Sequence, residues 1–152
     1  MGKNKNGSKK QVAEALSHLL ADSYTLYTKT HGYHWNVTGP MFTTLHNLFE
    51  QEYTELALAV DEIAERIRAV GEIAPGSYSQ FSKLAVVKEA KGVPKAEEMV
   101  KDLAADQDLV AKAAQKVIAA AEAAGDDASA DLGVRRIEVH EKNAWMLRSH
   151  LA

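Results

Sequence analysis

Apolar residues recur every three to four positions along most of this chain, which is the spacing of one face of an α-helix. The runs cover about residues 10–34, 40–70 and 94–124, and a fourth follows Asp127 to the C-terminus. The positions of the fourth run that we expect to face a core are Ile137, Ala144, Trp145 and Leu147. The pattern therefore predicts four long helices.

Residues 71–93 lack this regular spacing. The turn sequence Pro75-Gly76-Ser77 is followed by a short stretch from Tyr78 to Leu84 that suggests one short helix. Four long helices with one long crossover between the second and third are typical of an all-α, ferritin-like four-helix bundle. We expect this bundle to form one domain over residues 11–152, preceded by a flexible basic tail at residues 1–10.

Composition narrows the function classes. The chain has 152 residues and no cysteine, so disulfides, thiolate metal sites and cysteine nucleophiles are excluded. Any metal must be held by His, Asp and Glu side chains. No apolar run approaches the roughly 18 residues that a membrane span needs, and the N-terminus does not look like a signal peptide. The expected location is therefore the cytoplasm, with no membrane partner.

Histidines and carboxylates concentrate between residues 31 and 65. His46 and Glu50 are four positions apart, as are Asp61 and Glu65, so each pair lies on one helix face. Imidazole and carboxylate ligands suit iron, zinc or manganese. Two structural alternatives remain open, because acidic pairs often form a solvated helix face and a single His46 can be a hydrogen-bonded interface residue.

Distance restricts how these residues can act together. His46 and Asp61 are 15 positions apart on the same helix, which is roughly 22 Å at the rise of an α-helix. Metal–ligand bonds are only about 2 Å long, so one chain cannot use both residues for one ion. Two copies of this helix, packed antiparallel about an axis near Tyr53 to Leu56, would bring the two groups together. The Glu-x-x-His pairs of in-chain di-iron bundles do not occur in this sequence.

Several segments of the chain, taken together, resemble the Dps family of mini-ferritins, the DNA-binding proteins from starved cells. They run from His31 through His34-Trp35-Asn36 to Pro40, through Leu45-His46 and Phe49-Glu50, and on to Asp61-Glu62-Ile63-Ala64-Glu65-Arg66. The ending from His140 to Arg148 is also similar.

The resemblance implies a hollow shell of twelve subunits built from two-fold dimers, with a two-iron ferroxidase centre at each dimer interface. It assigns His34 and His46 to one subunit and Asp61 and Glu65 to its partner. Glu50 takes the position of a further acidic ligand. We interpret His31 as a group beside the ligands and expect Trp35 to pack next to the site.

The implied activity is ferroxidase chemistry: oxidation of Fe(II), preferably by hydrogen peroxide, and storage of the ferric product as a mineral. Such a protein would limit oxidative damage to DNA during stress. Zinc or another divalent ion is an alternative occupant of the same ligands. In the family, acidic channels near the start of the fourth long helix admit cations, and Asp126, Asp127 and Asp131 lie in that region, where the first two also suit a turn and helix cap.

The N-terminal charge supports a second hypothesis. Lys3, Lys5, Lys9 and Lys10 give the first ten residues a charge of +4, and the remainder then carries −7 because the whole chain carries −3. Flexible lysine tails bind DNA non-specifically in some family members, and twelve tails would act together. The alternative function is therefore a nucleoid-associated structural protein. A solvated tail without a partner is equally consistent with this composition.

Overall fold

The computed structural model describes residues 5–152, with side chains described from Ser8 onward. This part of the chain forms five helices and no strand: α1 (Lys5–Asn36), α2 (Phe42–Ala69), α3 (Tyr78–Leu84), α4 (Ala96–Ala124) and α5 (Asp127–Ser149). The predicted all-α bundle with a short helix in the crossover is confirmed. Within residues 5–152, no helix is long and apolar enough to span a membrane.

The four long helices pack as two hairpins, α1 with α2 and α4 with α5, and α1 also lies against α4. Their apolar faces meet in one core. The largest fully buried side chains are Leu16, Leu19, Leu26, Leu45, Phe49, Leu56, Ile63, Ile67, Met99, Leu103, Leu132 and Leu147. Complete burial of one such side chain stabilises the fold by about 1.5–3 kcal/mol. The apolar spacing seen in the sequence therefore accounts for the packing of the long helices into a bundle.

Helix α1 begins earlier than the sequence predicted. The apolar spacing placed its start near Lys10, whereas the helix begins at Lys5, so residues 5–10 of the predicted flexible tail are helical. Apolar spacing reports where a helix packs, and polar residues with adequate helix propensity can extend it beyond the packed part. Lys3 and the rest of the first four residues lie outside the described part of the chain.

One predicted core residue is on the surface of the subunit. The Trp145 side chain is 66% exposed, while its neighbour Ala144 is buried together with Leu147. Successive helix residues point about 100° apart, so the face that buries positions 144 and 147 turns position 145 outward. The expectation that Trp145 faces the core was wrong for the single subunit.

The long crossover is anchored to α1 by a buried acid. One oxygen, Oδ1 of Asp22, accepts hydrogen bonds from the backbone amides of Val86 (2.7 Å) and Val87 (3.0 Å). Burial raises the pKa of Asp22, although these two amides oppose the shift. His18, one turn earlier, places Nδ1 3.0 Å from the carbonyl oxygen of Leu84. These contacts hold the end of α3, and the irregular segment that follows it, against α1.

Helices α4 and α5 approach each other closely at a glycine. A Cβ atom at Gly133 would lie 2.7 Å from Cγ1 of Ile118 and 3.0 Å from the carbonyl oxygen of Ala114. Real Cβ atoms do not approach other atoms this closely, so only glycine fits without a shift of the two helices. The backbone of α5 therefore rests directly on α4 at this position.

Candidate metal centre

Two histidines face each other where α1 ends and α2 begins. Nδ1 of His34 lies 2.7 Å from the carbonyl oxygen of His46, and Nδ1 of His46 lies 2.7 Å from the carbonyl oxygen of His34. Their rings are stacked, with centroids 3.8 Å apart and planes at 14°. A carbonyl can only accept a hydrogen bond, so each Nδ1 carries the proton and donates it. The other ring nitrogen, Nε2, is then the atom through which each histidine can bind a metal.

The connection between the helices makes this pairing possible. The chain reverses direction in five residues, and Gly39 adopts a φ of +104°, a conformation that residues with a Cβ rarely adopt. Val37 is buried, and the Phe42 amide donates a hydrogen bond to the Gly39 carbonyl. The two histidines are thereby held by backbone on both sides of a short turn.

The acidic residues predicted as ligands lie further along α2. Asp61 and Glu65 are both exposed and are one helical turn apart. Asp61 raises the pKa of Glu65 through a hydrogen bond between the carboxyl groups and through its negative charge. Neighbouring carboxylates on an open surface favour a bound cation, which would relieve their repulsion. Glu50 is also exposed, one turn beyond His46 on the same helix.

A single subunit does not bring these ligands together. Among residues 5–152, no group of three or more His, Cys, Asp or Glu side chains is placed to hold one metal ion. The histidine pair and the acidic pair remain separated along α2, as the 15-residue spacing from His46 to Asp61 requires. We refer to the two pairs as the histidine half-site and the acidic half-site of the predicted centre.

Aromatic rings surround the histidine half-site. The ring of His31 lies 3.9 Å from Trp35 and 4.3 Å from Tyr53, measured between ring centroids. Tyr53 also lies 5.1 Å from His34. Burial and the neighbouring His34 lower the pKa of His31. Trp35 contacts His31 while 64% of its side chain stays exposed, so it lies beside the half-site on the molecular surface.

The three aspartates near α5 have different surroundings. The Asp126 side chain caps α5 by accepting a hydrogen bond from the Ser129 amide, and it forms an ion pair with Arg66 at 2.9 Å. Burial would raise the pKa of Asp126, but the hydrogen bonds from Ser129 and Arg66 outweigh it and lower that pKa. Asp131 pairs with Arg135 at 3.1 Å, and Asp127 is exposed.

Arg66, which follows Glu65 in the acidic segment, has a structural role that was not predicted from the sequence. Its guanidinium also donates from Nε to the Ser129 hydroxyl at 2.9 Å, so it connects α2 to the start of α5. The sequence signal for this role was an arginine directly after Glu65 together with acidic residues predicted at the cap of the fourth long helix. The lysines of the proposed DNA contact are placed only in part: Lys9 and Lys10 are exposed on α1, and the Lys5 side chain is outside the described part.

The comparisons with known proteins agree with this architecture. A family model described as a Ferritin-like domain matches residues 13–152. The DNA protection during starvation protein 2 of Bacillus anthracis is 39% identical over 142 residues, which cover 93% of this chain and 97% of that protein.

Solved structures give the same result. A Dps protein from Bacillus brevis superposes with a TM-score of 0.93 at 34% identity, and the match covers 100% of both chains. The Dps protein from Vibrio cholerae O1, described as a member of a broad superfamily of ferritin-like diiron-carboxylate proteins, gives 0.92 at 32% identity and covers 97% of this chain and 92% of that one. The resemblance predicted from the sequence is confirmed, and the chain belongs to the Dps family of ferritin-like proteins.

Proposed function

We propose that this protein oxidises Fe(II) at centres shared by two subunits and stores the ferric product inside a shell of its own copies. The observation that carries the proposal is the His34–His46 pair, whose backbone hydrogen bonds leave two Nε2 lone pairs for a metal. The acidic half-site of Asp61 and Glu65 on the same helix supports it. The diiron-carboxylate description of the Vibrio cholerae relative points to the same chemistry.

Two-fold pairing would complete the centre. If two α2 helices pack antiparallel about an axis near Tyr53 to Leu56, His34 and His46 of one subunit meet Asp61 and Glu65 of the other. Each dimer then holds two equivalent centres, and six dimers form the twelve-subunit shell expected for the family. Glu50 lies one turn from His46 and is placed to reach a second iron directly or through water.

The ligand types suit the oxidation of iron. The imidazoles supply neutral donors, and the carboxylates supply negative charge that stabilises the extra positive charge of Fe(III). When two Fe(II) ions each give one electron to one hydrogen peroxide, its O–O bond breaks, two protons are taken up and two water molecules form. No hydroxyl radical is released, so removing iron and peroxide together would protect DNA in the cytoplasm, where we place the protein. Zinc is the alternative occupant for these ligands.

The test is an oxidation assay on the assembled protein. Fe(II) is loaded without oxygen, one hydrogen peroxide is added for every two irons, and ferric absorbance is followed. We expect rapid oxidation by the parent and a rate close to that of protein-free iron for His46→Ala. The matched control is His150→Ala, because the His150 side chain bonds to the Met146 carbonyl near the C-terminus, away from the proposed centre. If His46→Ala keeps the parental rate, the proposal is wrong.

Iron entry is a separate part of the proposal. Asp127 and Asp131 are exposed at the start of α5 and are suited to attract cations at a channel between subunits. Asp126 is less suited to bind a passing ion, because its carboxylate already accepts from Arg66 and Ser129. We therefore assign a capping role to Asp126 and the pore role to Asp127 and Asp131, because the ion pair of Asp131 with Arg135 is exposed to solvent whereas that of Asp126 with Arg66 is partly buried.

A second candidate function is non-specific DNA binding through the N-terminal lysines. Lys9 and Lys10 are exposed at the start of α1, which places positive charge at one end of an otherwise acidic body. The test replaces Lys3, Lys5, Lys9 and Lys10 together by Gln, which removes the charge and keeps helix propensity. In gel-shift assays the parent should retain DNA at low salt and release it as salt rises. Equal retention by the variant would exclude these lysines.

A further inference from the structure

The centre of the bundle contains buried polar side chains among the apolar ones. Each long helix contributes one: Thr30 from α1, Glu52 from α2, Gln107 from α4 and His140 from α5. All four are buried, with exposed fractions of 0%, 3%, 0% and 0% in that order. None of them belongs to the proposed iron centre, which lies on the outside of α1 and α2.

Contacts between neighbouring residues place these four side chains at one level of the bundle. Lys29 pairs with Asp106 at 2.8 Å and Tyr33 with Asp102, so α1 and α4 are antiparallel, and Thr30 and Gln107 differ in height by only about 3 Å. The ring of His31 lies 4.3 Å from that of Tyr53, which places Thr30 and Glu52, on antiparallel helices, within about 3 Å in height.

The other two helices close the layer. Gln107 and His140 are hydrogen bonded at 2.7 Å. Arg136 binds Glu55, and moving one turn along the antiparallel helices α5 and α2 from that pair leads to His140 and Glu52. The four polar residues therefore form one layer across the core, which we name the interior polar layer.

The hydrogen bonds of His140 are already complete. Arg136 can only donate, so its Nη2, 3.1 Å away, donates to Nε2 of His140. Nδ1 of His140 then carries the proton and donates to Oε1 of Gln107. The histidine is neutral and uses both nitrogens, so it has no lone pair for a metal.

The rest of the interior polar layer is not satisfied by protein groups. Among the described residues, no hydrogen-bond partner lies near Oε1 or Oε2 of Glu52, Nε2 of Gln107 or Oγ1 of Thr30. A buried polar atom without a partner destabilises the fold, and native proteins satisfy nearly all such atoms. Three of the four helices present an unpartnered donor or acceptor at the same level, which indicates a common partner.

We propose that the interior polar layer is a binding site for ordered water, with at least one molecule in each subunit bridging the Glu52 carboxyl to the Gln107 amide. Water fits because it donates to the carboxyl oxygens and accepts from the amide, and Thr30 can serve either role. A metal ion does not fit. Glu52 supplies the only unengaged carboxyl of the layer, the free atom of Gln107 is a donor, and the Arg136 cation lies beside His140.

The test is a crystal structure of the assembled parent at a resolution where buried water is visible, together with two variants. Glu52→Gln keeps a polar side chain at this position, whereas Glu52→Leu removes it at similar size. We expect a solvent peak within hydrogen-bonding distance of Glu52 and Gln107 in the parent. The peak should remain in Glu52→Gln and disappear in Glu52→Leu.

The outcome is decisive even if Glu52→Leu fails to assemble, because the parent map alone can refute the site. Direct contact between Glu52 and Gln107 with no solvent peak would overturn the proposal. An anomalous-scattering peak in the layer after soaking with zinc or iron would also overturn it, since the site would then bind metal. Exchange of a long-lived internal water, seen by magnetic relaxation dispersion in solution and absent in Glu52→Leu, would support it independently of the crystal.

Discussion

The two histidines of the proposed centre fix each other's orientation. Each Nδ1 proton is donated to the backbone of the other residue, so neither ring can rotate without breaking a hydrogen bond of its own. A hydrogen bond of this kind contributes about 0.5–1.5 kcal/mol, and it also selects the tautomer. The pair is therefore held in one orientation without a metal, so metal binding would cost less conformational entropy.

A second residue-scale feature gives a pH-dependent prediction. Burial, with a smaller contribution from Arg136, lowers the pKa of His140 from 6.5 to about 3. Between these values the unfolded chain binds a proton at this residue and the folded chain does not. The contribution of His140 to the free energy of unfolding is thus complete above pH 6.5 and is lost as the pH falls towards 3.

The variant His140→Gln keeps a donor and an acceptor but does not titrate. As the pH is lowered from neutral to about 4, we expect the parent to lose more stability than the variant, by up to about 1.4 kcal/mol per pH unit for each subunit. Thermal unfolding of both proteins at the same concentration measures this difference in stability. The other titrating groups are common to the two proteins, so their contributions cancel. Parallel curves for the two proteins would show that His140 is not held neutral.

At the scale of elements, the weakest connection is the crossover between α2 and α4. It carries only the seven-residue helix α3, and its hydrogen bonds to α1 depend on Asp22 and His18. The long helices supply most of the continuous core, to which the crossover adds Phe81 and Val87. Local opening of the subunit is therefore expected to begin in residues 70–95.

Asp22→Ala tests this expectation. It leaves the Val86 and Val87 amides without their carboxylate acceptor, which costs about 1–3 kcal/mol of unfolding free energy. Limited proteolysis should cut the crossover of the variant faster than that of the parent. Asp22→Asn, which keeps one acceptor oxygen, is the control and should be intermediate. Cleavage that begins elsewhere in the chain, or at an unchanged rate, would contradict the anchoring role.

At the scale of the whole molecule, the proposed iron centre requires two chains. The described residues of one subunit offer two half-sites and no complete one. Isolated subunits are therefore expected to be inactive, and activity should depend on the same equilibrium as assembly.

Mixed assemblies provide a direct measurement. His46→Ala and Asp61→Ala are each expected to be inactive alone. In a dimer of one of each, one centre carries both changes and the other carries neither. Random pairing on co-expression should therefore restore about one quarter of the parental rate, as two-fold symmetry requires. A mixture as inactive as the separate variants would show that the ligands act within one chain.

The sequence was sufficient for features that repeat or cluster. Apolar spacing located the long helices, and the distance from His46 to Asp61 along one helix predicted the separation of the two half-sites. It was not sufficient where single residues depart from a pattern. Trp145 adjoins buried Ala144 but points outward, and Glu52 occupies a buried position whose spacing alone would suggest an apolar residue. Whether such a residue is buried or exposed depends on which side chains the neighbouring helices place opposite it.

The close contact at Gly133 helps to fix the register of α5 against α4. A slip of one helical turn would bring Ser129 or Ile137 to the place of Gly133, and its Cβ atom would collide with Ile118 and the Ala114 carbonyl. A slip of one turn between the two helices is therefore disfavoured. A residue inserted into the turn at Gly125 would bulge locally and leave Gln107 opposite His140, so changes in loop length at this end of the bundle would not alter the alignment of the two helices.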